Sequence, residues 1–245
     1  MTTKYIAATL TYGAAMIAIA DKAISGGRIE LARVSTLQWG AAIVATLSYA
    51  VVLLETQRSN KDLREQKLQQ AKVRELARTQ LRMAIEILLR PYRLFLKDVV
   101  SVDDWDRLDS DSVYVLAVLD EPRARLAFRS MDARADANVY PKCKNWELLA
   151  ERTRSARDLL GQLAAKFVSH LSAEVVEAVE ALRTDEMVGM RLPDLDDLMT
   201  ANKHMAAFTL EQVLGGGPRG YDAFDAMLVR TRALLERIDI EERAA

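Results

Sequence analysis

The sequence predicts an all-α protein with an N-terminal transmembrane helical hairpin, a long helical stalk and a C-terminal cytoplasmic helical bundle. Residues 34–54 are 21 consecutive residues without a charge, about 31 Å long as a helix, which is enough to cross a hydrocarbon core of about 30 Å. Further along, apolar residues recur at three- and four-residue steps, the period of amphipathic helices. We therefore predict a membrane hairpin at 1–55, with spans at about 5–20 and 34–54, a basic stalk at 56–90 and a bundle at 91–245.

The charges that follow the second span indicate the orientation of the chain. Residues 56–100 hold eleven Lys or Arg and five Asp or Glu, a net charge of +6. The whole chain carries −1 and residues 1–55 carry +1, so residues 101–245 carry −8. Basic residues flank spans on the cytoplasmic side, where the leaflet is anionic. The residues predicted to contact anionic lipid are Arg58, Lys61, Arg64 and Lys67. With an Ala- and Arg-rich composition typical of bacteria, we expect an inner-membrane protein with a cytoplasmic C-terminal domain.

The first apolar segment, Tyr5–Ala20, allows three interpretations. Its sixteen uncharged residues give a helix of only about 24 Å, and it has fewer strongly apolar residues than the second segment. It is a span paired with the second one, a cleaved signal peptide ending in Ala18-Ile19-Ala20, or a soluble core helix. Small residues at four-residue spacing favour the paired spans, and they predict helix packing and a homo-oligomer. These residues are Ala14, Ala18, Ala41 and Ala45.

The stalk is predicted as one helix because Glu55–Leu89 contains no Pro or Gly and is rich in good helix formers. Its first part is polar on all sides, and an apolar stripe begins at Val73. Pro91 is expected to end or kink the helix at Arg90. A heptad pattern is not sustained, so a coiled coil is the less favoured alternative.

The bundle is predicted from amphipathic helices joined by short connections, which implies antiparallel neighbours. The apolar run Ser112–Leu119 is interpreted as a short buried helix, because no second strand is evident to pair with it. The other predicted helices are Pro122 to about Ala137, Asn145 to about His170, one capped by Ser172, one from Pro193-Asp194 to Val213, and Tyr221 to about Ile240.

Two segments were considered as ligand sites. Gly215–Gly220 is glycine-rich, but it lacks the Lys-Ser/Thr pair of a phosphate loop and follows no predicted strand, so a helix–helix turn is favoured. Asp194, Asp196 and Asp197 begin a predicted helix, where the helix dipole favours acids without any metal. We expect no metal site and no cofactor.

The remaining candidate side chains are isolated in the sequence. His170 and His204 lie on different predicted helices, without the spacing of a zinc or di-iron motif. Cys143 is the sole cysteine, so an intramolecular disulfide is impossible, and the flanking Lys142 and Lys144 would favour its thiolate. An incidental cysteine is the simpler interpretation.

Without a catalytic motif, the sequence leaves function open between classes. The first expectation is a membrane-anchored interaction or scaffold protein whose bundle binds an unidentified protein partner or self-associates. The second is a membrane-perturbing effector, holin-like or anti-phage, in which the hairpin breaches the bilayer under control of the bundle. An enzyme with an unrecognised site is a third possibility, and no nucleic-acid partner is expected, because acids are interspersed in the basic stalk.

Overall fold

A computed structural model describes residues 36–139, 141–204, 208–213 and 218–243, together with residues 9, 11–14, 16–17, 20, 24–25 and 28–29. In the part of the chain that the structure describes, the regular structure is helical apart from a two-residue β-ladder, which confirms the predicted all-α class. The membrane hairpin and the helical bundle stay predictions. It divides into two compact units, Met1–Gln70 and Ala71–Ala245. The division falls inside the predicted stalk.

In the first unit, the described residues between 9 and 20 are all helical. Strands β1, Ile24–Ser25, and β2, Arg28–Ile29, then pair antiparallel, with Ile24 opposite Ile29. Two residues connect them, which is the loop length of a tight hairpin. The ring of Tyr12 stacks on that of Tyr49, with ring centroids 5.1 Å apart.

Helix α1, Thr36–Leu96, carries residues of both units and includes Pro91, where the sequence predicted that the helix ends or kinks. The helix does not end at Arg90 but continues past the proline to Leu96. A proline inside a helix costs about 3 kcal/mol, because it removes a hydrogen bond and crowds the preceding turn. Here Tyr92, Phe95 and Leu96 are all buried in the core, each contributing roughly 1.5–3 kcal/mol, so packing outweighs that cost.

The described part of the second unit continues with short and long helices and one π-helical turn. These are α2 Trp105–Ser110, α3 Ser112–Asp120, α4 Pro122–Ser130, α5 Asn145–Phe167, α6 Ala173–Arg183, the π-turn Met187–Arg191, α7 Leu195–Ala201, α8 Leu210–Val213 and α9 Pro218–Arg243. A 3-10 turn, Val102–Asp104, precedes α2. The buried helix at α3 and the Ser172 cap of α6, which accepts from the Val175 N–H at 3.3 Å, are as predicted.

Two predicted helices are wrong in extent. Helix α4 ends at Ser130 instead of about Ala137, and the chain after it pairs with distant backbone. The Ala133 N–H donates to the Phe208 carbonyl at 2.8 Å, and the Ala137 N–H donates to the Cys143 carbonyl at 2.8 Å. These hydrogen bonds, of which the one to Phe208 is long-range, satisfy donors that a longer α4 would have used itself.

The helix predicted from Pro193 to Val213 is two short helices, α7 and α8. The end of α7 is closed by the Asn202 amide, which donates to the Leu198 carbonyl at 2.8 Å. The guanidinium of Arg134 donates a hydrogen bond to the Asn202 carbonyl. In both hydrogen bonds a side chain uses a backbone carbonyl that a continuing helix would need for its own hydrogen bonds. Residues 205–207, inside the predicted helix, lie outside the described residues.

Aromatic side chains form the centre of the second unit. Tyr92 lies 5.4 Å from Phe128 and 5.8 Å from Phe224, and Phe128 stacks on Phe224 at 5.1 Å, all measured between ring centroids. Phe95 is 6.1 Å from Phe128. Such pairs add about 0.5–1.5 kcal/mol to the burial of each ring. They join α1, α4 and α9 into one core.

Candidate functional site

The first candidate is the apolar stretch of α1 in the first unit. The helix holds an eighteen-residue window long and apolar enough to cross a membrane, and only 11% of that window is buried. Leu47 is 62% exposed and Leu54 is 65% exposed, whereas leucines in the part of α1 that belongs to the second unit, such as Leu81, are fully buried. The window therefore has a surface suited to lipid, although a helix of this kind alone is weak support for a membrane protein.

The small residues predicted to pack helices fall on different faces. A covered stripe on α1 runs through Ala42, which is buried, and through half-buried positions at three- and four-residue steps. These half-buried positions are Ala45, Tyr49, Val52 and Thr56. Ala41 and Ala14 are exposed in the single chain, and Ala18 lies outside the described residues. Packing of Ala41 against another helix therefore needs a second copy and stays a prediction.

The four predicted lipid-contact residues are all exposed. Arg58, Lys61, Arg64 and Lys67 lie within α1, and Lys61 is 3.9 Å from Glu65 in an exposed pair one turn apart. Exposed pairs of this kind contribute little to stability, about 0.3–0.5 kcal/mol. Since folding does not need these charges, they are available to an external anion.

A second candidate, which the sequence analysis missed, joins the end of α9 to α1. We name this cluster the clasp: Arg78, Arg82, Asp239, Glu241 and Glu242. Arg82 lies 2.6 Å from Asp239 and 2.8 Å from Glu242. Arg78 Nε and Glu241 Oε2 face each other at 3.7 Å, and both atoms are buried without a hydrogen-bond partner. The clasp therefore has two parts. Arg82 forms exposed ion pairs, and Arg78 and Glu241 form a buried ion pair whose facing atoms lack hydrogen bonds.

The clasp also reaches the start of α6. Glu241 Oε1 accepts the N–H of Ser172, the cap of α6, at 2.9 Å. Acids in the last turn of a helix oppose its dipole, so three carboxylates at the end of α9 are unfavourable without compensation. Arg78 and Arg82 of α1 supply the compensating positive charge. That unfavourable placement is a sequence signal that the end of α9 needs nearby cations, but it does not identify them as Arg78 and Arg82.

A cavity that contains a buried acid lies beside the π-turn. It has a volume of about 650 Å³ and is lined by residues that include Asp185, Arg191, Asp222 and Arg230. The side chain of Asp185 is 1% exposed, pairs with Arg230 and accepts the Met187 N–H at 2.8 Å. Burial, and then the charge of Asp185, raise the pKa of the Tyr92 hydroxyl well above its usual value. Because Asp185 has both partners within the protein, its role here is structural.

None of the isolated side chains gains the surroundings of a reactive group. Burial, followed by the charges of Glu147 and Glu151, raises the pKa of the Cys143 thiol, against the expectation from its lysine neighbours. Asp196 pairs with Arg154 at 2.7 Å. Within the described residues, no group of three or more His, Cys, Asp or Glu side chains is placed to hold a metal ion.

Two other candidates are placed as follows. His170 is half-buried after α5 and His204 is exposed after α7. Of the Gly215–Gly220 loop, residues 215–217 lie outside the described residues, and 218–220 begin α9.

The chain matches no protein-family model, no curated protein and no solved structure.

Proposed function

We propose that the protein is a membrane-anchored helical scaffold, held in a bilayer by residues 34–54 and binding a protein partner or a second copy through its second unit. The observation that carries the proposal is the exposure of apolar side chains in this part of α1. Five of them, Ile43, Val44, Leu47, Val51 and Leu54, are each more than half exposed. Moved from water into hydrocarbon at about 1.5–3 kcal/mol each, they favour the bilayer by on the order of 10 kcal/mol.

The finer parts of the proposal concern the hairpin and its orientation. The stack of Tyr12 on Tyr49 supports a first segment that returns along α1, so that both ends of the hairpin lie on one side of the membrane. The exposed bases Arg58 to Lys67 support an orientation with that side at the anionic cytoplasmic leaflet of a bacterial inner membrane, because each base near anionic lipid is worth about 1 kcal/mol. The second unit is cytoplasmic in this arrangement.

The test of anchoring and assembly is cross-linking in native membranes after fractionation. The protein should sediment with membranes, resist alkaline carbonate and give oligomeric species. Ala41→Leu, on the face that is exposed in the single chain, should reduce the oligomers while leaving insertion intact. Ala42→Leu, at a position buried within the chain, is the matched control that perturbs the hairpin itself. Recovery in the soluble fraction would refute the anchor, and an Ala41→Leu ladder equal to wild type would refute this interface.

The effector alternative shares the hairpin and differs in its effect on the bilayer. Induced expression should leave cells impermeable to a small dye if the protein is a scaffold. Oligomers together with dye entry would replace the scaffold by the membrane-perturbing effector. Dye entry abolished by Ala41→Leu would identify the assembled hairpin as its cause.

A further inference from the structure

Helix α1 carries apolar residues on the side that faces away from the core of the second unit. Ala77, Leu81 and Leu88 are fully buried, whereas Leu76 is 48% exposed and Met83 is 55% exposed. Other apolar residues of this side are half-buried at the edge of the core. We name the row the outer stripe, and its members are Val73, Leu76, Met83, Ile87 and Leu94. The stripe belongs to the second unit, so it is distinct from residues 34–54.

The spacing of the outer stripe is that of a coiled-coil seam. In a seven-residue repeat, the two positions that face a partner helix are called a and d. Val73, Ile87 and Leu94 fall at a, and Leu76 and Met83 fall at d. In parallel coiled coils, β-branched residues at a with leucine at d favour two strands. The outer stripe therefore fits one parallel partner helix with the same repeat.

The same repeat leads back to Ala41, which we propose as a contact between copies in the membrane. Leu76 follows Ala41 by 35 residues, which is five heptads, so both fall at d. Helix α1 is continuous across the two positions, and Ala41 is exposed in the single chain. Two helices that wind around each other keep a seven-residue repeat on one seam. A second copy of α1 in contact with Ala41 is thus in register with the outer stripe.

We propose that a second copy of the chain covers the outer stripe, with the two α1 helices parallel and related by a two-fold axis. The inference rests on the proposed membrane anchor, which inserts both copies in one direction and raises their effective concentration. A two-fold axis along the pair sets each residue of the seam beside its own copy, so apolar residues meet apolar residues along the outer stripe. The a and d positions from residue 55 to residue 69 are polar, so close contact is expected at the two ends of the seam and not between them.

Arg90 is the only charged residue at an a or d position between Val73 and Leu94. It is exposed, and within the described residues its guanidinium makes no hydrogen bond or ion pair. The two-fold axis brings the two Arg90 side chains together, and like charges at an interface oppose association. A single polar residue in a seam also fixes its register at a cost in stability. We therefore expect a weak pair whose strength is limited by position 90.

The first test is disulfide cross-linking of the full-length protein in native membranes, in a Cys143→Ser background that removes the sole cysteine. Leu76→Cys should give a cross-linked dimer on mild oxidation, because the two-fold axis places the two thiols side by side. Arg74→Cys is the matched control. Arg74 is exposed on the same helix but lies about 200° around its axis from Leu76, so this variant should stay monomeric.

The same experiment reads out the orientation of the pair and separates it from the anchor. An antiparallel pair would join Leu76→Cys of one copy to Leu94→Cys of the other when the two variants are expressed together, and that result overturns the inference. A Leu76→Cys protein that resists carbonate extraction but cross-links no more than Arg74→Cys also overturns it, while the anchor stands. Recovery of the protein in the soluble fraction refutes the anchor, and the parallel pairing falls with it.

The second test changes Arg90. Arg90→Leu should raise the association constant of the full-length protein in detergent by roughly tenfold, because it removes the repulsion between like charges. Sedimentation equilibrium measures this constant. Arg74→Leu adds the same apolar side chain on the opposite side of the helix and should leave the constant unchanged. The inference is overturned if Arg90→Leu weakens association, or if both variants strengthen it equally.

Discussion

Helix α1 contains the same apolar residue types in two regions with opposite surroundings. Between Ala77 and Leu96 its leucines and isoleucines mostly face the core, and Leu81, Ile85 and Leu88 are fully buried. Between Trp39 and Leu54 the same types face outward, with Ile43 58% and Leu47 62% exposed. Folding of the chain buries the apolar side chains of the first region and leaves the outward-facing ones of the second region exposed. The contrast indicates that the second region depends on something outside the chain, for which a bilayer is our proposal.

The largest expected effect comes from placing a charge in the core of the second unit. Leu160→Asp should destabilise the protein by roughly 4 kcal/mol or more, because Leu160 is fully buried in α5 and an unpaired carboxylate is costly there. Urea unfolding followed by far-UV circular dichroism measures it. Leu126→Asp, at a 67% exposed position, is the control and should stay within about 0.5 kcal/mol of wild type.

These measurements are simplest on a fragment that begins at Ala71, where the second unit begins. We predict that this fragment is soluble, predominantly helical and cooperatively folded, because its core lies within residues 77–238. Circular dichroism rich in β-structure, or a melt without a transition, would show that the second unit depends on the first.

A charge placed in the exposed apolar region should act on insertion instead of folding. Leu47→Arg should disfavour the bilayer by about 3–4 kcal/mol, the difference between Leu and Arg near the centre of a span. Leu68→Arg changes a similarly exposed leucine of the same helix, outside residues 34–54, and should have no effect. The measurement is the fraction that resists carbonate extraction, and equal fractions for the two variants would place the span elsewhere.

The clasp should show a smaller, graded effect. Arg78→Ala should cost about 2–3 kcal/mol, because it leaves Glu241, 17% exposed, without its nearest cation. Arg82→Ala should cost less than about 1 kcal/mol, since the Arg82 side chain is 41% exposed and its pairs are solvated. Urea unfolding of both variants checks the order, and equal losses would mean that burial does not distinguish the two arginines.

The smallest effect at neutral pH is expected at Tyr92. Tyr92→Phe should change stability by less than about 1 kcal/mol, because the hydroxyl has only the Met227 sulfur, at 4.0 Å, as a partner among described residues. Above pH 10 the two proteins should diverge. The pKa of Tyr92 is raised on folding, so the unfolded chain loses this proton first and stability falls as pH rises past the unfolded value of about 10. Alkaline melts in which both proteins lose stability equally would contradict this.

The elements that the sequence predicted well are those determined by local signals. Ser172 caps α6, Pro122 begins α4 and the apolar run at 113–119 is a buried helix, because caps, proline and apolar density act over a few residues. The errors arise where distant groups compete. Pro91 stays inside the helix because buried aromatic residues follow it. The helix expected to run from 193 to 213 is interrupted after α7, where the Arg134 guanidinium donates a hydrogen bond to the Asn202 carbonyl. The partners that decide the two cases lie far along the chain: Phe128 and Phe224 pack on Tyr92, and Arg134 bonds the Asn202 carbonyl.

The candidate sites follow the same division. The apolar stretch and its basic flank are properties of consecutive residues, so the sequence identifies both without a structure. The clasp joins positions 78 and 82 to positions 239–242. Such groups carry no common spacing, and only the fold brings them together.

The clasp also has a consequence for biosynthesis. Arg82 precedes its partners Asp239 and Glu242 by 157 and 160 residues. At a synthesis rate of about 5–20 residues per second, the arginine leaves the ribosome's catalytic centre roughly 8–30 seconds before either carboxylate is made. Residues 34–54 are translated before both. In the anchored protein that we propose, the apolar segment of a nascent chain can thus meet the insertion machinery while α1 still lacks its α9 partner.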